Sequence, residues 1–420
     1  MTDNNSHGKL AYFGSVIPSY SATFVYREIF ELDRRGIPLL IYSLHTPVRK
    51  GLSADALPLC DRGYHLLPAR IPEFLQAHVH YVLRSPLRYL RAAFRMLTAR
   101  HKDLRQRMGT VMHFGGGVVL ARRMERDGVT HIHAHYSSHP SSVALAIHFL
   151  TGINFSFSAH AYDIWAARLL HPEKLRAARF AVCCSGLGRR ELISQGAPQD
   201  AAKVHVVYHG IDVRRFVPPE NPGKRDRLIL GLGRLEDVKG FHHLVEACAI
   251  LKSKGVPFHC RIVGDGDERE RLKALIQRLG VEKEVEMFGA VRQEDILPHY
   301  HEAAIFAMPC VGSEDGRHDG IPNVFVEAMA TALPVVSTNF SAIPELIDDG
   351  VDGFLVRPGC PEELADCLER LLGDRALRES AGAKGRAKTV ERFDNRKTIE
   401  PLIELLTREC GMAGGPRGNE

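Results

Sequence analysis

The chain has 420 residues, of which 45% are hydrophobic and 25% charged, and a formal net charge of +5. That composition is average for a soluble globular protein, and the length allows two domains, each with its own core. No run of about twenty uncharged apolar residues suggests a transmembrane helix, and Met1 to Lys9 lack the apolar stretch of a secretory signal. The nine cysteines are scattered without a Cys-x-x-Cys pair, which fits a reducing cytoplasm rather than a disulfide framework.

Short apolar strands alternate with amphipathic helices from end to end, which predicts an α/β fold with parallel sheets. In the first half, strands are expected at Leu10–Val16, Leu39–Leu44, His131–His135, Asn154–Ser158, Phe180–Ser185 and Val204–Tyr208. The segment Ile17-Pro-Ser-Tyr-Ser-Ala-Thr-Phe24 follows the first strand and leads into a helix, with Ser21 and Thr23 as hydroxyl donors. Further on, Leu83, Leu87, Leu90, Phe94 and Leu97 recur at the period of one helix face. Arg84, Arg88, Arg91 and Arg95 follow the same steps one residue later. From Arg84 to Arg107 there are eight basic residues and one acid, Asp103. Such a helix suits an anionic membrane surface; a core-packed helix with a solvated basic side is the equal alternative. No aromatic-interleaved basic motif accompanies the stripe, so nucleic acid is not expected as a partner.

His131-Ile-His133-Ala-His135 puts three imidazoles on one strand face, a pattern that rarely completes a tetrahedral zinc site unaided. Phe155-Ser-Phe-Ser-Ala-His160-Ala-Tyr-Asp163 closes the next strand and leaves His160 at its carboxyl end, where it can donate a hydrogen bond to a ligand. Cys183 and Cys184 read as small buried hydrophobes. Val207-Tyr-His-Gly210-Ile-Asp212 reads as a hinge segment. After it comes a linker rich in proline and charge.

A second α/β series follows, with strands expected at Leu228–Leu232, Cys260–Val263, Val285–Phe288, Ile305–Met308, Pro334–Ser337 and Phe354–Val356, and helices at His242–Lys254 and Glu268–Leu279. The domain reading is therefore 1–212, a linker at 213–227, a second domain at 228–394, a helix at 395–410 that can cross back to the first domain, and a disordered Gly-rich tail at 411–420. Ligands of open α/β sheets bind outside the carboxyl ends of the strands, and the second series concentrates its chemistry there. Gly231-Leu-Gly233-Arg234-Leu-Glu-Asp-Val-Lys239-Gly240 places two cations between a strand and a helix start, a pattern suited to a diphosphate whose charge grows as it departs. Both side chains are expected at a rim. Val263-Gly264-Asp-Gly-Asp267 is a strand-to-helix glycine turn, and its two carboxylates make a poor hard-metal cage. Asp319-Gly320-Ile321-Pro322-Asn323-Val324-Phe-Val-Glu327 is a tight loop entering a helix. The free N–H groups and positive dipole end of that helix suit an anion, and Asp319 and Glu327 can flank one ligand.

This last string resembles the paired-acid motif of retaining family-four glycosyltransferases, in which one acid holds the donor sugar and the other the ribose of a nucleotide sugar. The Gly-Arg-x(4)-Lys-Gly string, the Val-Gly-x-Gly turn, Phe155–Asp163, His131–His135 and Ile17–Phe24 are similar to segments of the same family, so the resemblance spans nearly the whole chain. It implies a GT-B architecture, two Rossmann-like domains facing a central cleft. It further implies a retaining hexosyltransferase that moves sugar from a UDP- or GDP-sugar to a lipid-linked saccharide acceptor, for exopolysaccharide or lipopolysaccharide of the colanic-acid type. No general base, metal or cofactor is implied, because the leaving diphosphate itself can accept the acceptor's proton. By this resemblance Arg234 and Lys239 neutralise phosphate, Asp319 holds the sugar, Glu327 the ribose, and His160 lies near the reacting carbon. The donor is further bound by Gly233, Gly264, Gly289, Val291, Gly320, Ile321, Pro322, Asn323 and Val324. The histidines of 131–135 line or support the cleft.

Two positions depart from the family pattern. Aspartate at 319 is one methylene shorter than the usual glutamate, and Ala22 stands where a glutamate is usual. Two other readings remain: a sugar-nucleotide epimerase of the same architecture, and a catalytically impaired membrane-bound binding protein. The expected location is the cytoplasm, peripheral at the inner face of the cytoplasmic membrane.

Overall fold

A computed structural model describes residues 9–19, 22–220, 227–313 and 316–410. Ser21, part of the expected linker and the expected disordered tail at 411–420 lie outside them. The chain divides into two compact units, the first comprising 1–208 and 399–420, the second 209–398. Each is a parallel sheet wrapped by helices.

The first sheet has seven strands: β1 (Lys9–Gly14), β2 (Leu39–His45), β3 (Tyr64–Leu67), β4 (Val129–His135), β5 (Asn154–Ala159), β6 (Ala181–Cys183) and β7 (Val204–Val206), in the order β3-β2-β1-β4-β5-β6-β7. Its interior strands are buried on both faces, as parallel sheets require. In β1, alternate residues serve opposite cores. Ala11 and Phe13 join a cluster with Phe114, Val118 and Ile147 of helices Leu104–Asp127 and His139–Thr151. Leu10 and Tyr12 join Val25 and Ile29 of helix Thr23–Arg34, and Leu402 and Leu406 of the final helix, Glu400–Cys410. That last helix thus packs on the first unit's sheet although the chain reaches it through the second.

The second sheet has six strands: β8 (Leu228–Leu232), β9 (His259–Val263), β10 (Val285–Gly289), β11 (Ile305–Ala307), β12 (Val335–Thr338) and β13 (Phe354–Val356), ordered β10-β9-β8-β11-β12-β13. The strand order reverses between β1 and β4 in one sheet and between β8 and β11 in the other, the arrangement that opens a crevice at the strands' carboxyl ends.

One strand was not expected from the sequence, and one expectation needs correction. The short edge strand β3 is not visible as a period in the sequence. The apolar stripe expected on one helix lies on two, Ile71–Arg84 and Pro86–Thr98, so Leu83 belongs to the first and Leu87 to the second. Pro86 disfavours helical geometry at the residue before it, and Ser85 accordingly has φ −145° and ψ 57°.

Main-chain hydrogen bonds stitch together the loops that leave the second sheet. Gly233 N donates to Val263 O (3.0 Å), Gly264 N to Gly289 O (2.9 Å), Leu235 N to Asp265 O (3.0 Å) and Val311 N to Val238 O (3.0 Å). Glycine is required where these backbones touch. A Cβ at Gly264, whose φ is +147°, would lie 1.8 Å from the Gly233 carbonyl oxygen. Replacing Gly264 with alanine therefore destabilises the second unit by about 1–3 kcal/mol from backbone strain alone, with the clash in addition. Urea unfolding reads this loss, and unchanged stability would contradict the close approach.

Candidate functional site

In the first unit the site is built on the ends of β4 and β5. The imidazoles of His131, His133 and His135 share one face of β4 and are buried. His131 Nε2 and His133 Nδ1 each lie 2.8 Å from the Ser156 hydroxyl, and His133 Nε2 lies 3.0 Å from that of Ser158. Phe180 stacks on the first two rings. His135 Nε2 lies 2.6 Å from the Tyr12 hydroxyl and 3.1 Å from Glu28, and Tyr12 also donates to Glu28. The histidine row is thus engaged by β5 hydroxyls and by a tyrosine–glutamate pair. Tyr12 and Glu28 carried no sequence signal, because neither belongs to a recognisable string.

His160 follows β5 directly and is buried; its ring stacks on that of His135 (centroids 5.9 Å apart, 15° between planes) and packs against Phe24 and Tyr136. Its backbone is held by Asp163, whose Oδ2 accepts from His160 N (3.2 Å) and from Ser137 N (2.9 Å), tying the end of β5 to that of β4. Below this, Lys174 donates to the carbonyls of Ser137 (2.5 Å), Leu169 (2.7 Å) and Ser138 (2.9 Å). Burial lowers the Lys174 pKa to about 7 and raises that of Asp163. At Ala22, where the family has an acid, helix Thr23–Arg34 starts without a side-chain cap.

Burial holds His113 and His171 at about 3, below the ordinary imidazole value near 6.5. The unfolded chain therefore binds more protons between these values, and stability present above pH 6.5 is lost as the pH falls toward 3. His171 bonds to Ser137 and Gln195, contacts that glutamine can partly replace. His171→Gln is expected to reduce the slope of unfolding free energy against pH by about 1.4 kcal/mol per unit in this window; an unchanged slope would show that His171 is not held neutral.

In the second unit Lys239 and Asp319 meet at the switch point between β8 and β11. Gly233 follows β8 directly, and the turn Asp237–Lys239 comes after it. Gly240, at φ +66°, brings that turn against the residues after β11, since a Cβ there would lie 1.9 Å from the Pro309 carbonyl oxygen. This close approach delivers Lys239 to the loop that carries Asp319. Lys239 Nζ donates to Asp319 Oδ2 at 2.7 Å. The expectation of two rim cations is therefore half corrected. Arg234 is exposed and paired with Glu236 at 2.6 Å, but Lys239 is buried. Burial opposes the Lys239 charge, yet Asp319 beside it more than offsets this and raises its pKa. Burial and the same carboxylate push the Cys310 thiol up to about 12. The Asp319 carbonyl accepts from Ser341 Oγ (2.5 Å).

Gly320, Ile321, Pro322, Asn323 and Val324 are half-buried, and helix Asn323–Ala330 starts without a side-chain cap. Its first N–H groups carry the positive end of the helix dipole. Glu327, 3% exposed, accepts from Tyr300 (3.0 Å) and from Gln293 Nε2 (3.3 Å). Gln293 belongs to the loop after β10 that also holds Val291, so Glu327 joins that loop to the helix; Gly289, at φ +97°, ends the strand. Tyr300 and Gln293 are partners that no motif announced. Asp265 in the glycine turn bonds to Gly266 N (2.9 Å) and lies 3.6 Å from Arg269, an ordinary turn carboxylate.

The Lys239–Asp319 pair is testable by stability alone. Asp319→Asn leaves a buried ammonium without its counter-charge, and Lys239→Met leaves the carboxylate without its partner. A double-mutant cycle is expected to give a coupling of about 0.5–3 kcal/mol; additive effects would mean the pair does not form in solution.

The profile described as Glycosyl transferases group 1 matches residues 212–388, and that described as Glycosyltransferase Family 4 matches 78–215. The amylovoran biosynthesis glycosyltransferase AmsK of Erwinia amylovora is 38% identical over 229 residues, 53% of this chain and 55% of its own. The lipopolysaccharide core biosynthesis glycosyltransferase LpsE of Rhizobium meliloti is 31% identical over 179 residues, 43% of this chain and 49% of its own. The matched stretch thus spans about half the length of these relatives. In fold, the structure of Anabaena HepE in complex with UDP superposes with a TM-score of 0.70 at 17% identity, covering 96% of this chain and 100% of that one. The chain belongs to the glycosyltransferases described by these two profiles, family 4 in its earlier part and group 1 in its later part, and each of its units is a Rossmann-like parallel α/β sheet.

Proposed function

We propose that the protein is a retaining glycosyltransferase that moves a hexose from a nucleotide sugar to a lipid-linked saccharide in the synthesis of a cell-surface polysaccharide. The observation that carries this reading is the set of groups gathered at the β8–β11 switch point: a buried lysine and aspartate, an exposed arginine and an uncapped helix start. A nucleoside diphosphate is the ligand whose charge and length suit it. The biosynthetic roles named for AmsK and LpsE, and the UDP held by HepE, accord with that class.

On this reading the bond from the anomeric carbon to the diphosphate oxygen breaks as the acceptor oxygen bonds on the same face. The acceptor's proton passes to the departing diphosphate. Arg234, Lys239 and the N–H groups of Asn323 and Val324 meet the charge that grows there. Gly233 and Gly264 let the backbone approach the donor, and Gly320, Ile321 and Pro322 shape the loop above it. Glu327 takes the ribose hydroxyls, held in orientation by Tyr300 and Gln293, while Gly289 and Val291 border the base. Asp319 serves the sugar and His160 the region of the reacting carbon. Its ion pair gives the shortened acid a second duty. Lys239 must exchange part of its contact with Asp319 for phosphate when the donor arrives, which frees a carboxylate oxygen for the sugar.

The test is release of nucleoside diphosphate from a panel of UDP- and GDP-sugars, with a lipid-linked saccharide extract as acceptor. Arg234→Ala is expected to lower turnover by about 2–4 kcal/mol of transition-state stabilisation and to leave folding intact, since that side chain is exposed. Asp319→Asn is expected to be severely impaired on every donor. Acceptor-independent conversion of one sugar nucleotide into another would instead establish an epimerase. Full turnover of both variants would overturn the assignment of these residues.

A further inference from the structure

We infer that the helical face between Ile71 and Met112 is a docking surface for an anionic lipid bilayer, on which the first unit lies without spanning it. The inference concerns a surface outside the switch-point site and does not depend on the reaction proposed above. Nineteen large apolar side chains are exposed among the described residues, and fourteen of them fall in this stretch. Single exposed apolar residues are common on any protein, but soluble monomers rarely gather them into a large patch.

The patch is built on three helices that pack together, Ile71–Arg84, Pro86–Thr98 and Leu104–Asp127. His78 bonds to Tyr89 (2.8 Å), and Tyr89 meets Phe114 edge-on (5.3 Å), so one polar–aromatic chain links all three. Pro86–Thr98 turns Ala92 and Met96 inward and leaves Leu87 66% and Phe94 67% exposed. The core-packed alternative for this stripe therefore fails, because its leucines and Phe94 face outward. The next helix repeats the pattern, with Leu104, Met108 and Met112 exposed at steps of four.

Charge selects the occupant. Arg84, Arg88 and Arg91 are exposed. Arg95 lies over the Phe149 ring at 5.2 Å. Eight basic residues against one acid from Arg84 to Arg107 would repel a second copy, since a two-fold interface sets a patch against itself. Anionic phospholipid headgroups answer the arginines, and the acyl boundary answers the leucines. No described helix is long and apolar enough to cross a membrane, so contact is in the plane of the interface.

Flotation of the full chain with vesicles tests this. Wild-type protein is expected to float with phosphatidylcholine vesicles containing phosphatidylglycerol and to remain behind with phosphatidylcholine alone. Arg88→Glu with Arg91→Glu should weaken binding by about 25-fold or more, from about fivefold per arginine near an anionic surface, and raised salt should weaken wild type likewise. Leu87→Ser with Phe94→Ser should weaken flotation with the anionic vesicles, and the binding that remains should still require phosphatidylglycerol. All four positions are exposed, so circular dichroism and urea unfolding are expected to match wild type. Equal flotation of wild type and both variants, or failure of wild type to bind anionic vesicles at low salt, would overturn the inference. So would a stable dimer in solution that either pair of substitutions dissolves.

Discussion

Lys239 and Asp319 stand 80 residues apart in sequence and 2.7 Å apart in the fold, and the ligand end of the second sheet is organised around their contact. A buried ammonium has to be answered by an opposite charge. Meeting that requirement draws the loop after β11 toward the turn after β8. The backbone permits the approach because Gly240 has no Cβ to strike Pro309, and Gly264 none to strike Gly233. Charge pairing and glycine placement therefore act as one constraint. It leaves the loop from Gly320 to Val324 and the first helix turn half-buried, where a ligand can reach them.

The first unit uses a different device. Its polar groups are sunk into the sheet, with histidines on one face of β4 answered by serines on β5 and by Tyr12 on β1. Asp163 and Lys174 then fasten the loops after β4 and β5 through backbone groups. Buried polar networks of this kind specify one arrangement because any unanswered member is costly. Their effect is to hold His160 in place from beneath, through its own peptide N–H, rather than through its ring alone.

Much of this could be read from the sequence, and the parts that could not have physical reasons. The strands of both sheets were legible because a parallel sheet buried on both faces writes continuous apolar runs, as Leu10–Phe13 and Ile305–Ala307 do. Edge strand β3 was not, since its residues are only partly buried and carry little pattern. The acid string 319–327 announced its loop and helix through Gly320 and Pro322, but the ion pair from Asp319 to Lys239 is a tertiary contact that spacing cannot reveal. Tyr300 and Gln293 escaped notice for the same reason. The basic stripe was visible in sequence, but whether its leucines faced core or solvent depended on how three helices packed, and Pro86 divided what periodicity alone joined.

The most direct test of the central claim is calorimetric comparison of a nucleoside, its monophosphate and its diphosphate, in both the uridine and guanosine series. If the switch-point loops form a diphosphate site, the diphosphate of the preferred base binds about tenfold or more tightly than its monophosphate, from added charge-assisted hydrogen bonds. Equal affinities across nucleoside, monophosphate and diphosphate in both series would contradict it.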